Sequence, residues 1–189
     1  MATVFPGEKN AAKILQDAFD AGLGGLKLHA HVQCFDMNDD YMNSLYECCR
    51  ANNKPIIMHV GREPKSTAYR CDPYLLCSVD RVEHILIDFP GLKICVPHLG
   101  YDELSEYGKL IKKYDSLWLD TTMILADYFP IEKKIDLSHY RPDRVMYGSD
   151  FPNIPYAWDR ELQRLKAANI SRDLLERILN KNATDFYGL

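Results

Sequence analysis

The sequence predicts an α/β fold built on a parallel sheet, from three observations. Amphipathic helical stretches alternate with short, nearly continuous apolar runs, the pattern of strands buried on both faces between crossover helices. Three of these runs end in a polar interruption: Ile56-Ile57-Met58-His59-Val60-Gly61, Ile94-Cys95-Val96-Pro97-His98-Leu99-Gly100 and Val145-Met146-Tyr147-Gly148-Ser149-Asp150-Phe151-Pro152. A parallel sheet collects its strand C-termini at one end, so these polar residues are expected to share a site despite their separation in sequence.

In chain order, Glu8 to Ala21 carries apolar residues at helical spacing and is stopped by Gly22 and Gly24-Gly25. A strand follows from Leu26 to His31. Asp39 to Asn52 is a second helix with Tyr41, Met42, Leu45, Tyr46 and Cys49 on one face, and Lys54-Pro55 launches the strand Ile56 to Val60. Pro73 to Asp88 is a third helix, closed by Phe89-Pro90-Gly91 before the strand Leu92 to Val96. Leu104 to Tyr114 is a fourth helix and Leu117 to Asp120 a strand. Tyr128 to His139 is a less regular helical stretch and Arg144 to Tyr147 a strand. The tail reads as two helices, Tyr156 to Ala168 and Ser171 to Phe186, with Ser171 as N-cap of the second. An open doubly wound sheet and a (β/α)8 barrel both fit this series; polar residues capping strand after strand favour the barrel.

Composition narrows the function classes. The chain has 189 residues, 47% hydrophobic and 26% charged, and reads as one domain, 1–189, with a real core. A net charge of -4 provides no basic field for nucleic acid or an anionic membrane. No run approaches the ~18 apolar residues of a membrane span, and Met1 to Asn10 lacks the features of a signal peptide, so the expectation is a cytoplasmic protein acting on a small molecule. The six cysteines form no CxxC and are expected to be reduced thiols; Cys71 and Cys77, flanking Asp72-Pro73-Tyr74, are the pair to watch.

The candidate site residues come from the strand ends. His59 and His98 repeat one pattern in successive units, and Asp150 sits where the last strand turns into its loop; imidazoles and a carboxylate are ligands that a divalent metal takes. Lys27, His29 and His31 alternate, so a regular strand points all three to one side. His29-Ala30-His31 could hold one metal, or Lys27 and His29 could line the site by hydrogen bonding while His31 belongs to the loop. Asp120, with Thr121-Thr122, could orient a histidine or the substrate. Arg62 and Arg70 could clamp a substrate carboxylate. His84 and His139 read as surface or helix-end residues.

Taken in order, Gly25-Leu26-Lys27-Leu28-His29, Pro55-Ile56-Ile57-Met58-His59-Val60-Gly61, Phe89-Pro90-Gly91-Leu92-Lys93-Ile94 leading to His98-Leu99-Gly100, Tyr147-Gly148-Ser149-Asp150-Phe151-Pro152 and the closing Asn182-Ala183 resemble the amidohydrolase superfamily. The resembling branch is that of small metal-dependent hydrolases and decarboxylases, including the 2-pyrone-4,6-dicarboxylate lactonase and aminocarboxymuconate-semialdehyde decarboxylase types. The resemblance implies a TIM-barrel-like metal-dependent hydrolase fold. His59 would be a metal ligand from the fifth strand, His98 a catalytic or metal-contacting histidine from the sixth, and Asp150 a carboxylate from the eighth that binds metal or activates its water. Lys27 and His29 would lie at the fourth strand; with Arg62 and Asp120 they are the candidate substrate contacts. The metal would be divalent, zinc first and manganese second.

The family's first-strand HxH pair has no counterpart upstream of Lys27, and Thr3-Val4-Phe5 is at most the end of a third strand. The expectation is therefore a partial barrel, about strands four to eight, the C-terminal part of the whole, whose open edges are covered by a second copy or another chain. The chain could be part of a longer protein, a shortened product completed by a partner, or a reduced relative without activity. His29-Ala30-His31 could replace the missing pair, although from a different side of the barrel mouth. The implied activity is hydrolysis of a small carboxylated, lactone or amide substrate by metal-activated water. Non-oxidative decarboxylation, a catalytically inactive fragment, and a metal-free module binding an anion through Arg62 and Lys27 are the alternatives.

Overall fold

A computed structural model describes residues 1–62, 67, 69–131 and 135–189. Five parallel strands, β1 (Leu26–His29), β2 (Ile56–His59), β3 (Ile94–Val96), β4 (Leu117–Asp120) and β5 (Val145–Met146), lie side by side in chain order. A doubly wound sheet would reverse its strand order at a switch point. The unreversed order is that of a barrel wall, and the architecture is α/β, a partial (β/α) barrel.

The helices follow the predicted alternation. Before β1 comes α1 (Ala11–Asp20), and a short α2 (Ala30–Gln33) follows it; then come α3 (Asn43–Ala51), α4 (Pro73–Leu76), α5 (Val79–Asp88), α6 (Leu104–Lys113), α7 (Arg160–Ala167), α8 (Arg172–Glu176) and α9 (Asn182–Tyr187). Ser171 caps α8 as expected, its hydroxyl accepting from Leu174 N at 3.2 Å. Among the described residues, no helix is long and apolar enough to cross a membrane.

Three elements differ from the sequence reading. The first strand stops at His29, because the backbone turns into α2 at Ala30. The helix expected from Pro73 to Asp88 is two helices, separated where Cys77 and Ser78 take extended φ/ψ; Asp72 caps the first by accepting from Tyr74 N, and Glu103 accepts from Val79 N at the start of the second. Of the helix expected over Tyr128 to His139, the described part shows a single 3-10 turn at Leu137–His139, and residues 132–134 lie outside the described residues. A trace of the strand expected near Thr3 survives as a bridge from Ala2 to Leu26, with Lys27 N donating to Ala2 O at 2.8 Å.

Strand alternation gives the sheet two distinct faces. Leu26, Leu28, Ile56, Met58, Ile94, Val96, Leu117, Leu119 and Val145 join the large apolar core with the helices. The in-register residues of the opposite face are Lys27, His29, Ile57, His59, Cys95, Trp118, Asp120 and Met146. On this inner face Cys95, Trp118 and Met146 pack on Phe186 of α9, and His29, His59 and Asp120 stand at the strand C-termini.

Two polar anchors hold α9 across that face. Asn182 Nδ2 donates to Pro142 O at 2.8 Å and Val145 O at 2.7 Å, fastening the start of the helix to β5. Lys93 Nζ donates to Asp185 O at 2.7 Å and Phe186 O at 3.2 Å, setting a cation against the last carbonyls of the helix. Phe186 is fully buried. Truncating it, Phe186→Ala, removes the filler of the inner face and is expected to cost ~3–5 kcal/mol in a urea melt; a loss below ~1 kcal/mol would show that α9 does not close this face.

Candidate metal centre

The site is built at the polar end of the inner face. In the β1–β2 register His29 stands opposite His59, and their imidazoles stack with centroids 3.9 Å apart and planes 10° from parallel. On a continued strand His31 would lie ~6.6 Å beyond His29. The turn into α2 instead folds it back, so that its ring meets His29 edge-on at 4.5 Å and His59 at 5.5 Å. Gln33 secures this turn: its side-chain oxygen accepts from His29 N at 2.8 Å, and its amide donates to Val4 O at 2.8 Å.

The outcome is one cluster in which His29, His31 and His59 each present a ligand atom within 4.8 Å of the others. His31 and His59 are buried, and His29 is partly buried. Two ligands that each hold an ion at ~2.1 Å are at most ~4.2 Å apart, so small ring movements close the difference. Three neutral imidazoles suit zinc and neighbouring divalent metals, and the residues present fit such an ion.

His98 borders the cluster, its ring 4.7 Å from that of His59. It occupies a left-handed backbone position, φ 58°, within the turn His98–Gly100. Its Nδ1 lies 2.7 Å from Thr122 O. A carbonyl only accepts, so Nδ1 carries a proton, and in the neutral tautomer this fixes the lone pair is on Nε2. Asp120 braces the same turn, its Oδ1 accepting from Thr122 N at 3.0 Å and His98 N at 3.3 Å. Gly148 permits this close approach, since a Cβ there would stand 2.0 Å from Thr122 Oγ1.

The remaining sequence candidates take separate places. Lys27 is one layer below His29; burial lowers its pKa, while the charges of Asp120, Cys95 and Asp150 raise it. Asp150 lies four residues beyond the end of β5, exposed, at a left-handed φ of 54°. It stands outside the three-histidine cluster. The Arg62 guanidinium reaches Asp102 at 3.0 Å and Glu103 at 3.3 Å and lies over the Tyr74 ring, so its charge is already matched. Arg70, His84 and His139 are exposed.

The amidohydrolase family model matches residues 2–189. The chain belongs to the amidohydrolase family. Solved structures with the same fold include an uncharacterised TIM-barrel protein from Bordetella bronchiseptica, at a TM-score of 0.78 and 22% identity, covering 100% of this chain and 66% of that one. Another is the 5-carboxyvanillate decarboxylase of Novosphingobium aromaticivorans, complexed with manganese and 4-hydroxy-3-methoxy-5-nitrobenzoic acid, at a TM-score of 0.71 and 18% identity, covering 100% and 64%. A third is dihydroorotase from Campylobacter jejuni, at a TM-score of 0.64 and 20% identity, covering 99% and 63%. The chain thus spans about two thirds of the length of these relatives. No curated protein matches it.

The structure adds one residue that the sequence does not signal. Glu161 sits in the charged, amphipathic α7 and resembles its solvated neighbours, yet it is 1% exposed. Its two carboxylate oxygens accept from Met123 N at 2.9 Å and Leu125 N at 3.0 Å, holding the loop whose Thr122 carbonyl fixes His98. A cleft of about 840 Å³ beside this loop, bordered by Leu125, Phe129, Arg164 and Ile170, takes no side chain from the histidine cluster.

Burial, opposed by the two backbone N–H groups, pushes the Glu161 carboxyl up to about 7 from its ordinary 4.5. The native state therefore keeps a proton that the unfolded chain releases. Its contribution to stability is largest below the ordinary value and is lost as pH rises to about 7. Glu161→Gln should remove that dependence and, by setting an amide NH2 against a backbone N–H, cost ~1–3 kcal/mol. Denaturant melts of both proteins between pH 4 and 8 check this; parallel stability profiles would refute it.

Proposed function

We propose that this chain is the metal-binding part of an amidohydrolase-type hydrolase acting on a small carboxylated, lactone or amide substrate, with His29, His31 and His59 holding a divalent ion. The observation that carries the reading is the convergence of the three imidazoles at the strand C-terminal end of the inner face. Zinc is the proposed ion, with manganese the alternative that the decarboxylase complex supports. Bound there, such an ion supplies Lewis acidity, polarising a carbonyl and lowering the pKa of water.

The chain's own groups do the rest. The Nε2 lone pair of His98 takes a proton from the attacking water and returns it to the leaving group, while the Nδ1–H bond to Thr122 O keeps the ring in the tautomer that makes this possible. Asp120 holds the backbone of His98 in place. Lys27, behind the histidines, offers a positive charge to a substrate carboxylate, and Asp150 contributes its carboxylate from the rim. Non-oxidative decarboxylation is the second reading, favoured by the decarboxylase relative; His98 would then protonate the carbon that the carboxylate leaves. In either case we propose that a second copy or another chain completes the wall beside the five-stranded sheet.

Elemental analysis of the purified protein, with light scattering after size exclusion on the same sample, tests both proposals. Near-stoichiometric zinc or manganese is expected, falling by at least ~100-fold in affinity in His59→Ala and His31→Ala variants that remain folded by circular dichroism. Metal at background in a folded wild-type protein would overturn the metal reading, and a strictly monomeric species alone in solution would overturn completion by a second copy.

A further inference from the structure

Three thiols converge on the turn that carries His31. Cys71 Sγ donates to the His31 carbonyl oxygen at 3.1 Å, Cys34 Sγ approaches the same oxygen at 3.6 Å, and Cys77 Sγ lies 3.7 Å from His31 Nδ1. They differ in access: Cys34 is exposed, Cys71 partly buried and Cys77 fully buried. Cys34 and Cys71 thus converge on one carbonyl oxygen; burial first, and the neighbouring Cys34 second, push the Cys71 thiol up to about 11. Cys34 ends α2 and Cys71 precedes α4, two elements that pack together. The pair marked by the sequence was Cys71 and Cys77, but Cys77 is buried at the break between α4 and α5, whereas Cys71 shares the His31 carbonyl with Cys34.

We propose that Cys34 and Cys71 form an oxidisable pair, which glutathione disulfide converts into an intramolecular disulfide across the His31 turn, and that this bond weakens metal binding by His29, His31 and His59. The second half rests on the metal reading above. Cys34, the exposed member, loses its proton to solvent and attacks one sulfur of glutathione disulfide, breaking the S–S bond and releasing one glutathione thiolate. Cys71 then loses its proton and attacks the Cys34 sulfur, forming the protein disulfide and releasing the second glutathione. Two protein thiols are oxidised, one disulfide is reduced to two thiols, and the two protons end on glutathione.

The coupling to the metal ligands follows from what the thiols now hold. Both engage the carbonyl of His31, and both S–H groups vanish on oxidation. The sulfurs must close to ~2.05 Å, which draws the end of α2 toward the loop before α4. His31 is displaced relative to His29 and His59, which the β1–β2 register keeps in place.

The test treats the full chain with glutathione disulfide, blocks remaining thiols, maps the peptides by mass, and measures Zn2+ affinity against a competing chelator before treatment, after it and after re-reduction. A peptide joining Cys34 to Cys71 is expected, with Zn2+ affinity ~10-fold or more weaker and restored by reductant. Cys34→Ser and Cys71→Ser should both abolish the crosslink, and in neither variant should Zn2+ affinity change on treatment with glutathione disulfide. Glutathione remaining on Cys34, or a Cys71–Cys77 crosslink, overturns the pair. A Cys34–Cys71 crosslink with unchanged affinity overturns its link to the metal ligands. A reduced protein that binds no Zn2+ fails the metal reading instead, while the mass map still decides the crosslink.

Discussion

The in-register pairing of β1 with β2 is the constraint on which the candidate site depends. Backbone hydrogen bonds fix Leu26 against Ile56 and His29 against His59, and because side chains alternate, a slip of one residue would send one histidine to the helix-covered face. The register is held by burial rather than by the histidines. Leu26, Leu28, Ile56 and Met58 are fully buried in the outer core, and the slip would turn the pair on the shifted strand to the wrong face. The apolar half of each strand therefore positions the polar half.

The inner face resolves a conflict that every barrel-type site contains. Polar groups needed for chemistry must sit close together with little water, and burial penalises them unless their hydrogen bonds are arranged. The solution here divides the face. Phe186 packs on Trp118, Cys95 and Met146, and His29, His59 and Asp120 stand at the C-terminal ends of their strands. Lys27 shares a layer with Ile57, Cys95 and Trp118, its charge opposed by burial and supported by Asp120, Cys95 and Asp150.

His98 is held by connections of a different kind. Asp120 reaches its backbone N–H, Thr122 its Nδ1, and Glu161 the loop that carries Thr122. Each link joins an element remote in sequence, from β4 through the following loop to α7. The ring orientation is thus a property of the assembled wall, and a carboxylate on an outer helix bears on a histidine at the inner face without touching it.

The sequence by itself determined the series of helices and parallel strands, because helical and strand periodicities are local and each strand is bounded by its own turn residues. It also determined that His29, His59 and His98 lie at strand ends on a common edge, since the parity of a short apolar run decides which residues share a face. Only the tertiary structure decided which of them meet. The stop at His29 and the turn through Ala30 brought His31 into the cluster, whereas Asp150 was carried beyond β5 into solvent. The role of Glu161 and the meeting of Cys34 and Cys71 on the His31 carbonyl were likewise beyond the sequence. A charged residue on an amphipathic helix and a cysteine in a loop carry no local mark of what packs against them; their roles arise from contacts between elements that the chain brings together only when folded.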